Sequence, residues 1–91
     1  MNITKKNGKV VLYDTEKIVK SILKADVDTL EEEVSRHMAS YIADDVFAKL
    51  TREKEIITTQ DVRDAVYAKL REMGLPHTAE QYIHYAKKTS Q

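Results

Sequence analysis

Ile3-Thr4-Lys5-Lys6-Asn7-Gly8-Lys9-Val10-Val11-Leu12-Tyr13-Asp14-Thr15-Glu16-Lys17-Ile18 decides how this chain folds. It reads as a short strand, an Asn-Gly turn, a second strand and the first turn of a helix. Asn-Gly between two strand-like runs is the strongest short hairpin signal, because both central residues of a type I′ turn need positive φ. Gly8 is one of only two glycines in the chain, which gives its position weight. Lys5, Lys6 and Lys9 flank the turn, and Lys17 comes later in the helix. Ammonium groups on a hairpin folded onto a helix N-terminus make a cradle for an anion. The anion expected there is a nucleoside triphosphate.

Outward from this stretch the signals are mostly helical. Asp14 is a good N-cap, able to accept from the amides of Glu16 or Lys17. Ile18, Ile22 and Ala25 then share one face, with Val19 and Leu23 beside it, which predicts a helix over about 15–25. Asp28 or Thr29 opens a second helix over about 29–52, and Thr29-x-x-Glu32 reads as a capping box. Its stripe is Leu30, Val34, Met38, Tyr41, Ile42, Val46 and Leu50. Glu31, Glu32 and Glu33 read as charges that favour that helix's own dipole. Arg52 to Glu55 is a polar loop, and Ile56-Ile57-Thr58 reads as a third extended piece. Thr58 or Thr59 caps a third helix over 59–73, with Asp61 or Val62 at N3 and an apolar stripe of Val62, Ala65, Val66, Lys69, Leu70 and Met73. Gly74 and Pro76 stop it. Thr78-x-x-Gln81 caps a fourth helix over 78–88, with Ala79, Tyr82, Ile83 and Ala86 inward and Lys87-Lys88 at its end.

The order β-β-α-α-β-α-α predicts an α+β domain. A small antiparallel sheet, made of the hairpin over 2–13 and a third strand, lies over a four-helix bundle. Ninety-one residues make one domain. There is no cysteine, which excludes disulfides, thiolate metal sites, zinc ribbons and a cysteine nucleophile or thiyl radical. No apolar run is long enough for a membrane span and no signal-peptide pattern opens the chain, so a cytoplasmic protein with no membrane partner is expected. The formal charge is zero but uneven: +4 over residues 1–25, −6 over 26–64 and +2 over 65–91. A nucleic-acid binder more often carries an overall basic balance. Two basic ends meeting around one small anion fit this pattern better. His37, His77 and His84 are too scattered for a metal site. No Ser-His-Asp, paired-carboxylate or P-loop pattern is present, and Gly8-Lys9 lacks the rest of the Walker A spacing, so no catalytic residue is expected.

Three motifs in order resemble one family. The first is Ile3, Lys5-Lys6, Asn7-Gly8, Tyr13, Asp14 and Lys17-Ile18. The second is Ile57-Thr58-Thr59-Gln60-Asp61-Val62, with Val66 four residues on. The third is Ala79-Glu80-Gln81-Tyr82-Ile83-His84-Tyr85. Together they resemble the ATP-cone, the regulatory nucleotide-binding domain at the N-terminus of many ribonucleotide reductases and in the repressor of their operons. The resemblance covers essentially the whole chain.

The resemblance implies roles. Lys5 and Lys6 contact nucleotide from the first strand, Lys6 standing where arginine is common and so lacking the bidentate fork. Lys17 reaches the phosphates. Asp14 caps the helix and accepts from the adenine amino group. Ile3, Tyr13, Ile18 and Val62 form the apolar slot around the base. Thr59 and Arg63 complete the phosphate or sugar side, and Lys87 or Lys88 closes the site from the last helix. Two positions depart from the pattern. Val11 stands where some members have an acid that reads the adenine edge, and Ala86 where an arginine often comes after the tyrosine. Without the resemblance, the lysines read as solvated gatekeepers of an edge strand, Tyr13 and Val62 as plain core, and Thr59 as an N-cap.

The resemblance thus implies an allosteric domain that binds ATP or dATP with Mg2+ and has no chemistry of its own. Its expected partners are the catalytic or radical-generating subunits of a ribonucleotide reductase, controlled through oligomeric state, with homo-oligomers among the assemblies. The resemblance also implies a domain cut from a larger N-terminal context. Two other readings remain. One is the nucleotide-sensing part of a transcriptional repressor, whose usual cysteine zinc ribbon this sequence lacks. The other is a helical interaction module with a degenerate, non-binding cone.

Overall fold

The computed structural model of the chain describes residues 2–89, and the side chains of residues 2–85. Strands β1 (Asn2–Thr4) and β2 (Val10–Leu12) pair antiparallel with Ile3 opposite Val11. Their connection differs from the type I′ turn that Asn-Gly suggests. Gly8 has φ +84°, but Asn7 does not share its sign. The Gly8 amide donates to the Lys5 carbonyl at 2.9 Å and the Lys5 amide to the Lys9 carbonyl at 2.8 Å. This is the three-residue hairpin loop in which one left-handed residue, here glycine, closes a β-turn. The Asn7 side chain accepts from the Lys9 amide at 3.0 Å and holds that turn.

The expected third strand does not form. Among the described residues the sheet has two strands, and the 56–58 stretch contributes one parallel bridge, Thr4 with Thr58. The Thr4 amide donates to the Ile57 carbonyl at 2.8 Å, and Ile57 is buried. The chain turns into a helix straight afterwards, because Thr58 is already its cap. The fold class is therefore α+β with a two-stranded hairpin.

Helices α1 (Thr15–Thr29), α2 (Arg36–Glu53), α3 (Thr59–Glu72) and α4 (Pro76–Thr89) form the bundle. Each packs on two others, α1 on α2 and α4, and α3 on α2 and α4. The core runs through Ile18, Val19 and Ile22 of α1, Ile42, Ala43 and Val46 of α2, Val62, Val66 and Leu70 of α3 and Ala79 and Tyr82 of α4, with Ile3 closing the hairpin end. Gly74 (φ +80°) ends α3 as expected. Its amide bonds to the Arg71 carbonyl and that of Leu75 to the Leu70 carbonyl, with Leu70 and Leu75 both buried.

The first two helices depart from expectation at one place. α1 runs on to Thr29 instead of stopping near residue 25, and α2 starts at Arg36 instead of 29. Thr29 does not cap α2. Its hydroxyl donates to the Asp26 carbonyl within the last turn of α1. The cap of α2 is Ser35, which accepts from the Met38 amide at 3.1 Å. Leu30 lies outside the stripe in a left-handed conformation (φ 60°), and Tyr41 is exposed.

The reason lies across the bundle. Glu32 is the N-terminal cap of α4. Its carboxylate accepts from the His77 amide at 3.0 Å and the Thr78 amide at 2.7 Å, with the His77 ring 3.0 Å away. Asp26 accepts from the Val34 amide at 3.2 Å and from the buried Thr78 hydroxyl. α4 therefore begins at Pro76, a residue suited to a first helical position, and Thr78 does not serve as its cap. Partial burial alone would raise the Glu32 carboxyl, but the amides and side chains of His77 and Thr78 overcome it and hold it at about 2.

Candidate functional site

The hairpin, the start of α1 and the start of α3 come together, and local bonds explain why. Asp14 caps α1 by accepting from the Lys17 amide at 3.2 Å, which fixes how β2 enters the helix. Thr58, rather than Thr59, caps α3 through a reciprocal box. The Asp61 amide donates to the Thr58 hydroxyl at 3.0 Å and the Thr58 amide to the Asp61 carboxylate at 2.8 Å. Lys54 adds an ion pair to Asp61 at 2.8 Å. That ammonium, and after it the Thr58 amide, holds the Asp61 carboxyl below its ordinary range. The Thr4–Ile57 bond then ties β1 to this cap.

Lys5 and Lys6 are exposed in the hairpin loop, and Lys17 is exposed on α1. The Lys17 ammonium stands 5.3 Å from the centre of the Tyr13 ring, a distance at which cation and ring attract. Tyr13 is half-buried, with its ring centre 6.4 Å from that of Phe47 on α2. Burial pushes its phenol up, the Arg63 guanidinium opposes this and Asp14 adds to it. Burial likewise raises Tyr82 of α4 above its ordinary range, with Tyr13 adding and Arg63 opposing. Tyr13, Arg63 and Tyr82 therefore share one electrostatic neighbourhood where α1, α3 and α4 meet. Thr59 and Arg63, both half-buried, lie in the first turns of α3 beside it.

The proposed apolar slot is the tightest part of the molecule. Ile3, Ile18 and Val62 are 0%, 1% and 2% exposed, and all three belong to the single core cluster. Tyr13 is the one slot residue with a face in solvent. Lys87 and Lys88 fall in the last turn of α4, and their side chains lie outside the described residues. Sequence reasoning missed Phe47 as a neighbour of Tyr13. It is the one phenylalanine of the chain and lies beside the α2 stripe, a signal too weak to single it out.

The starts of α1 and α3 are helix N-termini, whose positive ends favour an anion, and Lys5, Lys6 and Lys17 are exposed. Among the described residues, no three His, Asp or Glu side chains gather where they could hold a metal ion. No helix among them is long and apolar enough to cross a membrane.

A family model described as the ATP cone domain matches residues 1–91, the whole chain. No curated protein matches it. ATP cones bind adenine nucleotide and are regulatory rather than catalytic. The match runs from end to end, and the four helices and antiparallel hairpin are the α+β arrangement that the resemblance implies; the chain belongs to the ATP-cone family.

Proposed function

We propose that this ATP-cone senses ATP and dATP at its hairpin end and through them regulates a ribonucleotide reductase by altering its state of assembly. One observation carries the reading: Lys17, exposed in the first turn of the Asp14-capped helix, holds its ammonium 5.3 Å from the centre of the Tyr13 ring. In this reading Lys5, Lys6 and Lys17 take the phosphates. Asp14 meets the adenine amino group, and Tyr13, with Ile3, Ile18 and Val62 behind it, faces the base. Thr59 and Arg63 meet the phosphate or sugar side, and Lys87 or Lys88 closes the last edge. In this reading Mg2+ travels on the phosphates. The partners are reductase subunits in the cytoplasm. The 2′-hydroxyl must change which assembly is favoured, since a ligand regulates only through its differential affinity for two states.

Calorimetric titration with ATP, dATP and GTP in magnesium tests this. Adenine nucleotides are expected to bind, and Lys6→Ala and Lys17→Ala each to weaken them about tenfold, the scale of one charge-assisted contact. A second reading, an interaction module that keeps the fold without the ligand, is favoured by the near-complete burial of Ile3, Ile18 and Val62. No heat with any of the three nucleotides selects it.

A further inference from the structure

Asn7 and Gly8 shape the hairpin loop, and the same pair is poised for a reaction of its own. Residues 5–9 are all exposed. In an Asn-Gly pair the glycine nitrogen can attack the asparagine side-chain carbonyl and close a five-membered ring. A side chain on the attacking residue hinders this, and glycine has none. The approach is open here, since a Cβ built on Gly8 would meet nothing within 4 Å. The Asn7 carbonyl is also activated. Its Oδ1 accepts from the Lys9 amide at 3.0 Å, and a donor at that oxygen stabilises the charge that develops there on attack. Lys5, Lys6 and Lys9 lie within two residues of the pair, and their positive field favours the anionic form of the attacking nitrogen. One bond opposes the reaction. The Gly8 amide donates to the Lys5 carbonyl at 2.9 Å and must first be released. At the exposed tip of a hairpin with three-residue strands, that opening costs little. Asn2, the other asparagine of the chain, is the opposite case. It lies in β1 and precedes Ile3, which is β-branched and fully buried.

We propose that Asn7 is a site of spontaneous modification, converted through a succinimide to aspartate and isoaspartate by attack of the Gly8 nitrogen and then of water. In the first step the Gly8 nitrogen gives its proton to hydroxide and bonds to Cγ of Asn7. The Cγ–Nδ2 bond breaks, and Nδ2 leaves as ammonia with a proton from water. In the second step water opens the ring. Cleavage between Cγ and the nitrogen gives aspartate. Cleavage between the Asn7 main-chain carbonyl carbon and the nitrogen gives isoaspartate, whose chain runs on through Cβ and Cγ. Neither step transfers electrons to or from another reactant. The two products differ in consequence. Aspartate keeps an oxygen that can accept from the Lys9 amide, so the loop survives. Isoaspartate adds one carbon to the main chain inside the loop, and the bonds to Lys5 and Lys9 lose their register. Resting on the nucleotide reading above, the isoaspartyl chain then loses nucleotide affinity, because the loop that carries Lys5 and Lys6 is no longer held.

Mass spectrometry of the folded chain, stored in mildly alkaline buffer beside the same chain unfolded in urea, tests the site. The mass is expected to rise by about 1 Da as NH is replaced by O. Peptide mapping is expected to place the gain at Asn7 and not at Asn2, and an isoaspartyl methyltransferase to label the product. The folded chain is expected to convert within about tenfold of the rate of the unfolded one, because the loop tip opens easily. Salt at about 1 M is expected to slow the folded chain by screening the lysines. Asn7→Gln is expected to abolish the gain, since glutamine must close a larger ring. A folded chain slower than the tenfold limit is protected by its loop and overturns the proposal, as does a gain that maps to Asn2 or survives Asn7→Gln. A rate that salt leaves unchanged overturns the part given to the lysines. Calorimetry with ATP on the separated isoaspartyl and unmodified chains reads the consequence. Equal affinity overturns the loss expected of the isoaspartyl form. No heat with the unmodified chain defeats the nucleotide reading and leaves the modification standing on its mass and its label.

Discussion

Glu32→Gln is the substitution that the fold judges most severely for its size. The carboxylate takes two amide hydrogens at the start of α4, and its side chain is only 11% exposed. Its pKa falls from the ordinary 4.5 to about 2. That drop corresponds to about 3 kcal/mol at neutral pH as a ceiling. Water at the rim and the one oxygen that glutamine keeps reduce the expected cost to about 1–2 kcal/mol. For a domain of this length that lowers Tm by about 5–15 °C. The pH dependence has a definite sign. A depressed carboxyl stabilises fully above 4.5 and loses its contribution as pH falls towards 2, so by pH 3 more than half of the carboxylate's advantage is gone.

Urea denaturation tracked by far-ultraviolet circular dichroism at pH 7, 4.5 and 3 reads both effects. Glu31→Gln is the control, because Glu31 is mostly exposed and meets only the far side of the His77 ring, at 3.2 Å. The gap between the wild-type chain and Glu32→Gln is expected to be widest at pH 7 and to narrow on acidification. If Glu31→Gln costs as much, or if the gap is the same at pH 3 as at pH 7, then Glu32 does not cap α4 as a carboxylate and the reasoning fails.

Gly8→Ala is expected to cost about 1 kcal/mol in the same denaturation assay, all of it backbone strain at φ +84°, because an added Cβ meets nothing within 4 Å. A much larger loss would show that the hairpin loop is packed more closely than it stands. Thr58→Ala is expected to cost about 1 kcal/mol and Thr59→Ala well under half of that, since only the Thr58 hydroxyl accepts from the amide at Asp61. The reverse order would move the cap of α3 by one residue.

The parts of the fold that were legible have causes within a few residues of themselves. Asp14 caps the helix after it, and Gly74 ends the helix before it, so local pattern was enough. Thr29-x-x-Glu32 also looked local, and there the reading failed. Glu32 has its partners at His77 and Thr78, and Asp26 has one at Val34, so tertiary bonds outweigh a capping box that the short-range pattern allows. Ser35-x-x-Met38 lacks the acid that would have marked it as the true cap. Asn-Gly announced a hairpin but not its loop, because the three-residue form also needs a left-handed glycine. The hairpin lysines were legible as surface residues, and Lys5, Lys6 and Lys9 are exposed. The approach of Phe47 to Tyr13 was not, since helical periodicity tells which residues face inward but not which meet across the bundle.

The burial of Ile3, Ile18 and Val62, proposed above to back the base, constrains how a base can be held there. Ile3 sits in the middle of β1, whose two neighbours hold it from both sides: Val11 opposite it on β2, and Ile57 through the Thr4 amide. A base that reached Ile3 or Val62 would have to shift β1, and β1 cannot shift without straining the bond to Ile57 and so the cap at Thr58. The hairpin is thus mechanically continuous with the start of α3 through one hydrogen bond and a box that already involves Asp61 and Lys54. A nucleotide held only by its phosphates and the exposed face of Tyr13 leaves that bond alone. One whose base enters the core does not. Amide hydrogen exchange at Thr4, compared with and without ATP, separates the two modes, and faster exchange in the bound state is the mark of a base that has opened the hairpin.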